Sequence, residues 1–141
     1  MMRISAKIDY ACRALLELSL HWPNHAPLQI NTIAQNRQIP HKFLTQILIH
    51  LKQLGYVRSI RGKSGGYLLA RAPKNINLRK VVQSFSGTGN GYDVRQKSDA
   101  DTFTSIWQEV EEETFRAMEI ITFEEIIKRE SALHNVAMFA I

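Results

Sequence analysis

The chain has 141 residues, of which 45% are hydrophobic and 22% are charged, and these proportions are typical of one soluble globular domain with a core of its own. Charges are scattered through the N-terminal segment and no apolar run approaches the roughly 18 residues of a spanning helix, so we expect a cytoplasmic protein without a secretion signal or a membrane span. The net charge of +5 is segregated, with 13 Lys and Arg against 2 Asp and Glu in residues 1–82 and 5 against 11 in residues 83–141, which predicts that any nucleic acid binds the N-terminal part.

The first predicted element is a helix over residues 6–21, with Ser5 as its N-cap and Pro23 just beyond its end. Its apolar residues recur at helical spacing and form one face, which consists of Ile8, Ala11, Ala14, Leu15 and Leu18. Cys12 is the only cysteine, which excludes an intrachain disulfide framework and an all-cysteine metal site. The apolar neighbours of Cys12 predict a buried thiol.

A short helix over residues 32–37 is predicted after a connector. Leu28 and Ile30 favour a short strand at the end of that connector, and Asn31 is suited to cap the helix. Gln38 then begins a tight turn. Because a second, longer helix follows this turn, the arrangement predicts a helix-turn-helix, in which the N-terminal turns of the second helix reach base edges in DNA.

The second helix of this motif is predicted over residues 40–54. Pro40 suits a first helical turn, where its missing N–H is no loss, and Gly55 suits a left-handed C-terminal cap. An apolar stripe at helical spacing gives the helix a core face and leaves a polar face free. That stripe consists of Leu44, Ile47, Leu48, Leu51 and Leu54.

The free face of the second helix is the candidate base-reading surface. Glutamine makes bidentate contacts with adenine, threonine bonds a base or touches a thymine methyl group, and lysine serves guanine or a phosphate. Phe43 is open to two interpretations, a core residue or a DNA contact, because aromatic residues at helical spacing are often buried. The predicted contacts from this helix are Pro40, His41, Lys42, Phe43, Thr45 and Gln46.

A glycine-tipped hairpin, the wing, follows directly. Two β-prone runs, residues 56–61 and 67–71, flank the sequence GKSGG, whose glycines let the main chain approach a groove closely. A phosphate-binding loop is not favoured, because that motif needs a glycine where Val57 stands and a helix afterwards. The predicted wing contacts are Arg58, Arg61, Gly62, Lys63, Ser64, Gly65, Gly66 and Tyr67, with Arg71 as a flanking cation. At the start of the chain, Arg3 and Lys7 are either phosphate contacts or ordinary surface charge.

The C-terminal part is predicted to form a dimer. Asn77 is suited to cap a further helix, and a polar, glycine-rich loop without Cys or His follows over residues 86–102. A helix over residues 103–121 has little core of its own to cover, so we expect it to pair with a second copy in a two-fold dimer that matches a palindromic operator, although packing on its own first helix is compatible. Its predicted dimer face consists of Phe103, Ile106, Trp107, Val110, Thr114, Ala117, Met118 and Ile121. Thr122 and Glu125 form a capping box for a short last helix.

Several stretches carry a family likeness: RISAKIDYACRALLEL, IPHKFLTQILIHLKQLGYVRSIRGKSGGYLLAR, INLRKVVQSFSG, IWQEVEEE and ITFEEII. Together they resemble the Rrf-two family of bacterial transcription regulators over nearly the whole chain. The resemblance implies a dimeric winged helix-turn-helix repressor or activator. We therefore expect a mainly α fold with a small β-hairpin wing, divided into a DNA-binding domain (residues 1–85), a flexible loop (86–102), and a long dimerisation helix with a tail (103–141).

Members of the family that sense through an iron–sulfur cluster carry three closely spaced cysteines before the dimer helix, whereas residues 87–102 have none. We therefore expect no cofactor and no metal, with an effector protein or a small molecule as the signal. The main hypothesis is a homodimeric transcription regulator that binds double-stranded DNA. The alternative is a regulator that docks another protein through its acidic C-terminal half. An enzyme is not indicated, because no Ser/His/Asp, Cys/His or paired-carboxylate set falls on one site.

Overall fold

The computed structural model of the protein describes residues 4–23, 26–86 and 101–139. Within these ranges the chain forms six α-helices, one 3-10 helix and one two-stranded antiparallel hairpin. In chain order they are α1 (Ala6–Leu20), α2 (Ile30–Arg37), α3 (His41–Gln53), β1 (Val57–Ile60), β2 (Gly66–Leu69), the 3-10 helix (Pro73–Asn75), α4 (Leu78–Phe85), α5 (Thr102–Glu119) and α6 (Phe123–Phe139).

Helix α1 begins where the sequence predicts and lies at the centre of the fold. The Ser5 hydroxyl accepts a hydrogen bond from the Ile8 N–H at 3.2 Å, which satisfies one of the unpaired donors of the first turn. The predicted apolar face is buried, namely Ile8, Ala11, Ala14, Leu15 and Leu18. Helices α2, α3, α4 and α6 all pack against α1, so this face forms the middle of the core.

Helix α2 begins at Ile30, two residues earlier than predicted. Gln29 occupies the N-cap position without a side-chain hydrogen bond, and Asn31 lies inside the helix. Ile30 is partly buried against the core, which favours a helix start at this residue although no side chain caps it. Of the predicted strand only Leu28 remains, whose backbone exchanges hydrogen bonds of 2.9 and 2.8 Å with Tyr67.

Helix α6 is longer than the short helix that the sequence predicts. Its predicted cap is confirmed, since the Thr122 hydroxyl accepts a hydrogen bond from the Glu125 N–H at 3.2 Å. The helix then continues to Phe139, because no glycine or proline follows Thr122 to interrupt it. Its first residue, Phe123, is fully buried, and α6 packs along α1 and the 3-10 helix. The C-terminal segment therefore covers part of the N-terminal core.

A buried carboxylate joins three helices. Glu17 of α1 is only 5% exposed and accepts hydrogen bonds from Arg37 Nε at 2.7 Å and Asn36 Nδ2 at 2.8 Å. The same guanidinium donates from Nη1 to Glu130 Oε1 on α6 at 2.9 Å. Charges withdrawn from water are stable only with such partners. This set, which we call the ion-pair triad (Glu17, Arg37 and Glu130), fastens the first helix of the helix-turn-helix to the C-terminal helix.

The turn between α5 and α6, the α5–α6 corner, is bound to the start of α4. Asn77 and Thr122 form an isolated antiparallel bridge, and the Leu78 N–H donates to the Ile121 carbonyl at 2.9 Å. Asn77 also donates from Nδ2 to the carbonyl of Glu119, at the end of α5, at 2.6 Å. These bonds fix the corner to the start of α4, which in turn packs against α1.

Candidate nucleic-acid interface

Helix α3 has one buried face and one exposed face, as the sequence predicts. Pro40 occupies its N-cap, and Gly55 follows its C-cap with a φ of 82°. Four of the predicted stripe residues are buried, namely Leu44, Ile47, Leu48 and Leu51. Of the predicted DNA contacts, five are exposed, namely Pro40, His41, Lys42, Phe43 and Gln46. Thr45 is half-buried, and its hydroxyl donates to the His41 carbonyl at 3.0 Å.

Phe43 is not a core residue, because 49% of it is exposed. Its ring stacks against Tyr10 of α1, with centroids 6.2 Å apart and planes 29° apart. The Lys42 ammonium lies 5.1 Å from the centroid of the same ring, within the range of a cation–π contact. Tyr10 was not predicted as part of this surface, although its spacing of three residues from Lys7 on α1 was a signal for it.

The strands of the wing are shorter than predicted, and its glycines are required either by their backbone angles or by close contacts. Gly62 and Gly66 have φ angles of 112° and 147°, which side-chain-bearing residues rarely adopt. A Cβ at Gly66 would clash with the Leu28 carbonyl, and a Cβ at Gly65 with the Ile60 carbonyl, whereas Gly62 has open space around it. Packing at the base of the wing therefore requires Gly65 and Gly66, and Gly62 lies at its exposed tip.

The predicted cations are exposed where the structure describes them. On the wing these are Arg58, Arg61 and Lys63, together with the polar tip residue Ser64. Lys7 is also exposed, with its ammonium 5.8 Å from the centroid of the Phe85 ring, and Arg3 lies outside the described residues. Ile49 belongs to the same exposed surface of α3, since it is 43% exposed and stands three residues beyond Gln46. It was missed, although helical spacing pointed to it.

Arg71 does not flank the wing tip as predicted. Its Nε donates to the Gly55 carbonyl at 3.2 Å, and its Nη2 donates to the Leu54 carbonyl at 3.3 Å. The guanidinium carbon also lies 4.7 Å from the centroid of the Tyr56 ring. Arg71 therefore stabilises the C-terminal end of α3, where free carbonyls attract a cation, and connects the base of the wing to that helix.

The profile of the Rrf2 family, described as iron-dependent transcriptional regulators, matches residues 4–129. The chain belongs to the Rrf2 family. This is the Rrf-two family that the sequence motifs resemble, so that prediction is confirmed. Among its relatives, the HTH-type transcriptional regulator IscR of Xenorhabdus nematophila is 28% identical over 137 residues, which cover 94% of this chain and 83% of that protein.

Two solved structures resemble this Rrf2 protein closely. The structure of T. potens IscR has a TM-score of 0.78 and 26% identity, and the match covers 92% of this chain and 88% of that chain. CymR, the global cysteine regulator of B. subtilis, has a TM-score of 0.77 and 24% identity over 92% and 98% of the two chains, a likeness of fold alone. The mainly α fold with a hairpin wing is thereby confirmed. As a member of this family, the protein is a DNA-binding transcription regulator.

Helix α5 of this Rrf2 protein carries an uncovered apolar surface along its N-terminal half. We call it the α5 stripe, and it consists of Phe103, Ile106, Trp107 and Val110, with exposures of 65%, 40%, 47% and 52%. Of the other residues predicted for the dimer face, Ala117 is exposed, Thr114 and Ile121 are half-buried, and Met118 packs against the core. Phe115, which was not predicted, also packs against the core. The two halves of α5 therefore have different surroundings.

The described residues of this Rrf2 protein offer neither the several thiolates that an iron–sulfur cluster needs nor a group of side chains suited to another metal ion. Its only cysteine, Cys12, is partly buried in α1, and burial, with a smaller contribution from the Asp9 carboxylate, raises the pKa of the thiol to about 11. Cysteine binds metals as the thiolate, a form that this buried environment disfavours. Throughout residues 4–23, 26–86 and 101–139, no three His, Cys, Asp or Glu side chains are grouped so as to hold a metal ion. In the same part of the chain, no helix is long and apolar enough to cross a membrane.

Proposed function

We propose that this Rrf2 protein is a homodimer that reads a palindromic operator, each protomer placing α3 in a major groove and its wing along the neighbouring backbone. The observation that carries the proposal is the exposure of Lys42, Phe43 and Gln46 on the first turns of α3, opposite a fully buried leucine face. In helix-turn-helix proteins these turns contact base edges. The exposed wing cations supply attraction to phosphates, which positions the helix but carries no sequence information.

The α5 stripe supports the homodimer. Soluble monomers rarely expose several large apolar side chains side by side, and a second copy presenting the same stripe covers it with two-fold symmetry. A two-fold dimer presents two copies of α3, which matches an operator with two inverted half-sites about one helical turn apart. We assign the stripe to the dimer interface for this reason.

The small number of cysteine ligands supports regulation without an iron–sulfur cluster. A cluster needs several thiolates, and the chain has one cysteine, whose thiol is partly buried and protonated at neutral pH. We therefore propose that a partner protein or a small molecule supplies the signal, in the cytoplasm, and that the protein is not an enzyme.

Regulation through docking of another protein by the acidic half is less well supported. Glu112 and Glu119 of α5 lie 3.3 and 3.2 Å from the guanidinium of Arg79 on α4. That guanidinium also lies 5.6 Å from the centroid of the Phe115 ring. Part of the acidic surface is therefore used inside the protein, where it holds α5 against α4.

Selection of bound fragments from genomic DNA, followed by a salt titration on the recovered fragment, tests the proposed function. We expect affinity to fall steeply with salt while the preference for the selected sequence survives, because phosphate contacts are screened and base contacts are not. Binding that is equal on selected and scrambled duplexes at every salt concentration would reject sequence-specific reading and favour the docking alternative.

Wing and helix substitutions are expected to affect binding differently. Replacing Arg61 or Lys63 by Ala should weaken binding to all duplexes to a similar extent and reduce the dependence on salt by about one phosphate contact per protomer. Replacing Gln46 by Ala should instead relax the preference at one base pair in each half-site, with a loss of roughly 1–3 kcal/mol of discrimination. Competition binding against single-base variants of the operator measures both effects. A uniform loss for Gln46→Ala on all variants contradicts its assigned role.

Cys12 is expected to be dispensable for DNA binding. The Cys12→Ala variant should bind the operator with an affinity within about twofold of the wild type. In the proposed function the thiol does not bind a metal, and its replacement by a methyl group removes little packing. Protein purified without oxygen should lack the visible absorbance of a cluster, and denatured protein should react with a thiol reagent much faster than folded protein. Visible absorbance that disappears in Cys12→Ala would contradict the cluster-free assignment.

A further inference from the structure

Phe43 is the one large apolar side chain exposed on the first turn of α3, and half of it is accessible to solvent. Its neighbours on the exposed surface are polar or charged, namely His41, Lys42 and Gln46. An exposed aromatic ring in the part of the helix that approaches base edges has one apolar group to meet in the major groove, the C5 methyl group of thymine.

The ring is also held in place before any DNA is bound. Tyr10 of α1 stacks on it with centroids 6.2 Å apart, and Tyr10 itself packs against the hydrophobic core. The Lys42 ammonium lies 5.1 Å from the same ring centroid. Because two side chains from different helices restrict the ring, it loses less conformational freedom on binding than a free surface phenylalanine would.

We propose that Phe43 reads a thymine C5 methyl group in each half-site and that Tyr10 is a positioning residue for it. The assignment rests on the proposed function and adds one base preference to it. It differs from the role of Gln46, because an apolar contact recognises the methyl group alone and no hydrogen-bonding edge. Deoxyuridine, which keeps the base pairing of thymidine and lacks only that methyl group, isolates the contact.

The test uses the full-length protein and the operator fragment recovered from genomic DNA, with thymines replaced by deoxyuridine in symmetric pairs, one pair at a time. For the wild type we expect replacement at one of these pairs to lower the affinity for the operator. The loss should be about fourfold per half-site, as for burial of a methyl-sized group, and therefore about fifteenfold for the two half-sites together. Phe43→Ala should bind the thymine operator more weakly and show no further loss at that pair. Lys63→Ala, the matched control, should bind more weakly but keep the full sensitivity to the methyl group.

The role of Tyr10 is tested by the same measurement on two variants. Tyr10→Phe keeps the stacked ring and should retain the sensitivity to the methyl group, whereas Tyr10→Leu keeps an apolar side chain against the core and should lose most of that sensitivity. Thermal unfolding of both variants confirms that they are folded. Equal sensitivity in Tyr10→Leu and the wild type would overturn the positioning role.

The outcomes separate this proposal from the proposed function. Specific binding by the wild type with no sensitive thymine pair, or a Phe43→Ala variant that keeps the sensitivity, would overturn the reading of methyl groups and leave the regulator intact. A loss for Phe43→Ala that is equal with thymine and deoxyuridine at every pair would assign the ring to the sugar-phosphate backbone instead. Failure of the wild type to prefer any duplex would reject both proposals.

Discussion

Replacing Trp107 by Glu is expected to separate the proposed dimer into monomers and to lower the affinity for the full operator by about 10²- to 10⁴-fold. Trp107 lies in the α5 stripe and is 47% exposed in the single chain, so a second copy would bury it. A carboxylate buried there without a partner costs several kcal/mol, and each protomer contributes one. Once the protomers separate, the second half-site no longer gains from being tethered to the first.

The matched control for this prediction is Gln108→Glu. It introduces the same charge on the next residue of α5, which is exposed and lies outside the α5 stripe, so it should leave the dimer and its affinity nearly unchanged. Sedimentation equilibrium gives the oligomeric state, and fluorescence anisotropy with full and half operators gives the affinities. A Trp107→Glu protein that remains dimeric at low micromolar concentration would remove the stripe from the interface, and a monomer with undiminished operator affinity would contradict the palindromic arrangement.

Replacing Arg37 by Ala is expected to lower the free energy of unfolding by about 3–5 kcal/mol. The guanidinium is bonded to Glu17 at 2.7 Å and to Glu130 at 2.9 Å. Its removal leaves the buried Glu17 carboxylate with the neutral Asn36 amide as a hydrogen-bonding partner and with the exposed His21 ring, whose Nε2 lies 3.7 Å away. A buried charge that has lost its countercharge is among the largest single-residue effects in proteins. Urea unfolding at equal protomer concentration measures the change, since the proposed dimerisation would contribute to apparent stability.

The control for Arg37 is Arg129→Ala. Arg129 also pairs with a carboxylate, Glu125 at 3.5 Å on the same helix, but both side chains are largely exposed. Exposed pairs of this kind contribute about 0–1 kcal/mol. If the two variants lose similar stability, the ion-pair triad has no special role in fastening α2 to α6.

The triad also predicts how stability depends on pH. The hydrogen bond from Arg37 holds the pKa of Glu130 below its ordinary value of 4.5. A pKa that is lower in the folded than in the unfolded protein contributes stability above the unfolded value, and this contribution is lost as the pH falls through the folded value. Glu130→Gln should therefore be less stable than the wild type near pH 7, with the difference shrinking below pH 4.5. A difference that is independent of pH would show that the charge of Glu130 is unimportant.

Local signals predicted the elements that present the proposed interface. For helix α3, the proline at its start, the helical spacing of its apolar residues and the glycine at its end all indicate the same boundaries. The structure places both ends within one residue of those predicted. The positive φ angles of Gly62 and Gly66 also agree with the glycine-tipped turn that the sequence predicts. Such features depend on neighbours within about four positions along the chain, which is the range that sequence patterns report.

Features that depend on distant partners were not predicted. The sequence predicted Arg71 to be a wing cation, but the carbonyls to which it donates, those of Leu54 and Gly55, lie 17 and 16 residues earlier in the chain. Arg37 meets Glu130 across 93 residues, and no periodicity links them. Phe115 and Met118 are apolar residues of α5 that pack against the chain's own core, a choice between partners that depends on the tertiary fold rather than on helical spacing.

The attachment of the α5–α6 corner to Asn77 and Leu78 has a consequence for the DNA. A dimer built through α5 would hold its two α3 helices at a fixed separation, because the described bonds attach the end of α5 to α4. Lengthening the spacer of the binding site by one base pair turns one half-site by about 35° about the duplex axis, and a dimer held in this way would not follow the rotation. Genuine sites for this regulator should therefore share a single spacer length, and altered spacers should bind like half-sites.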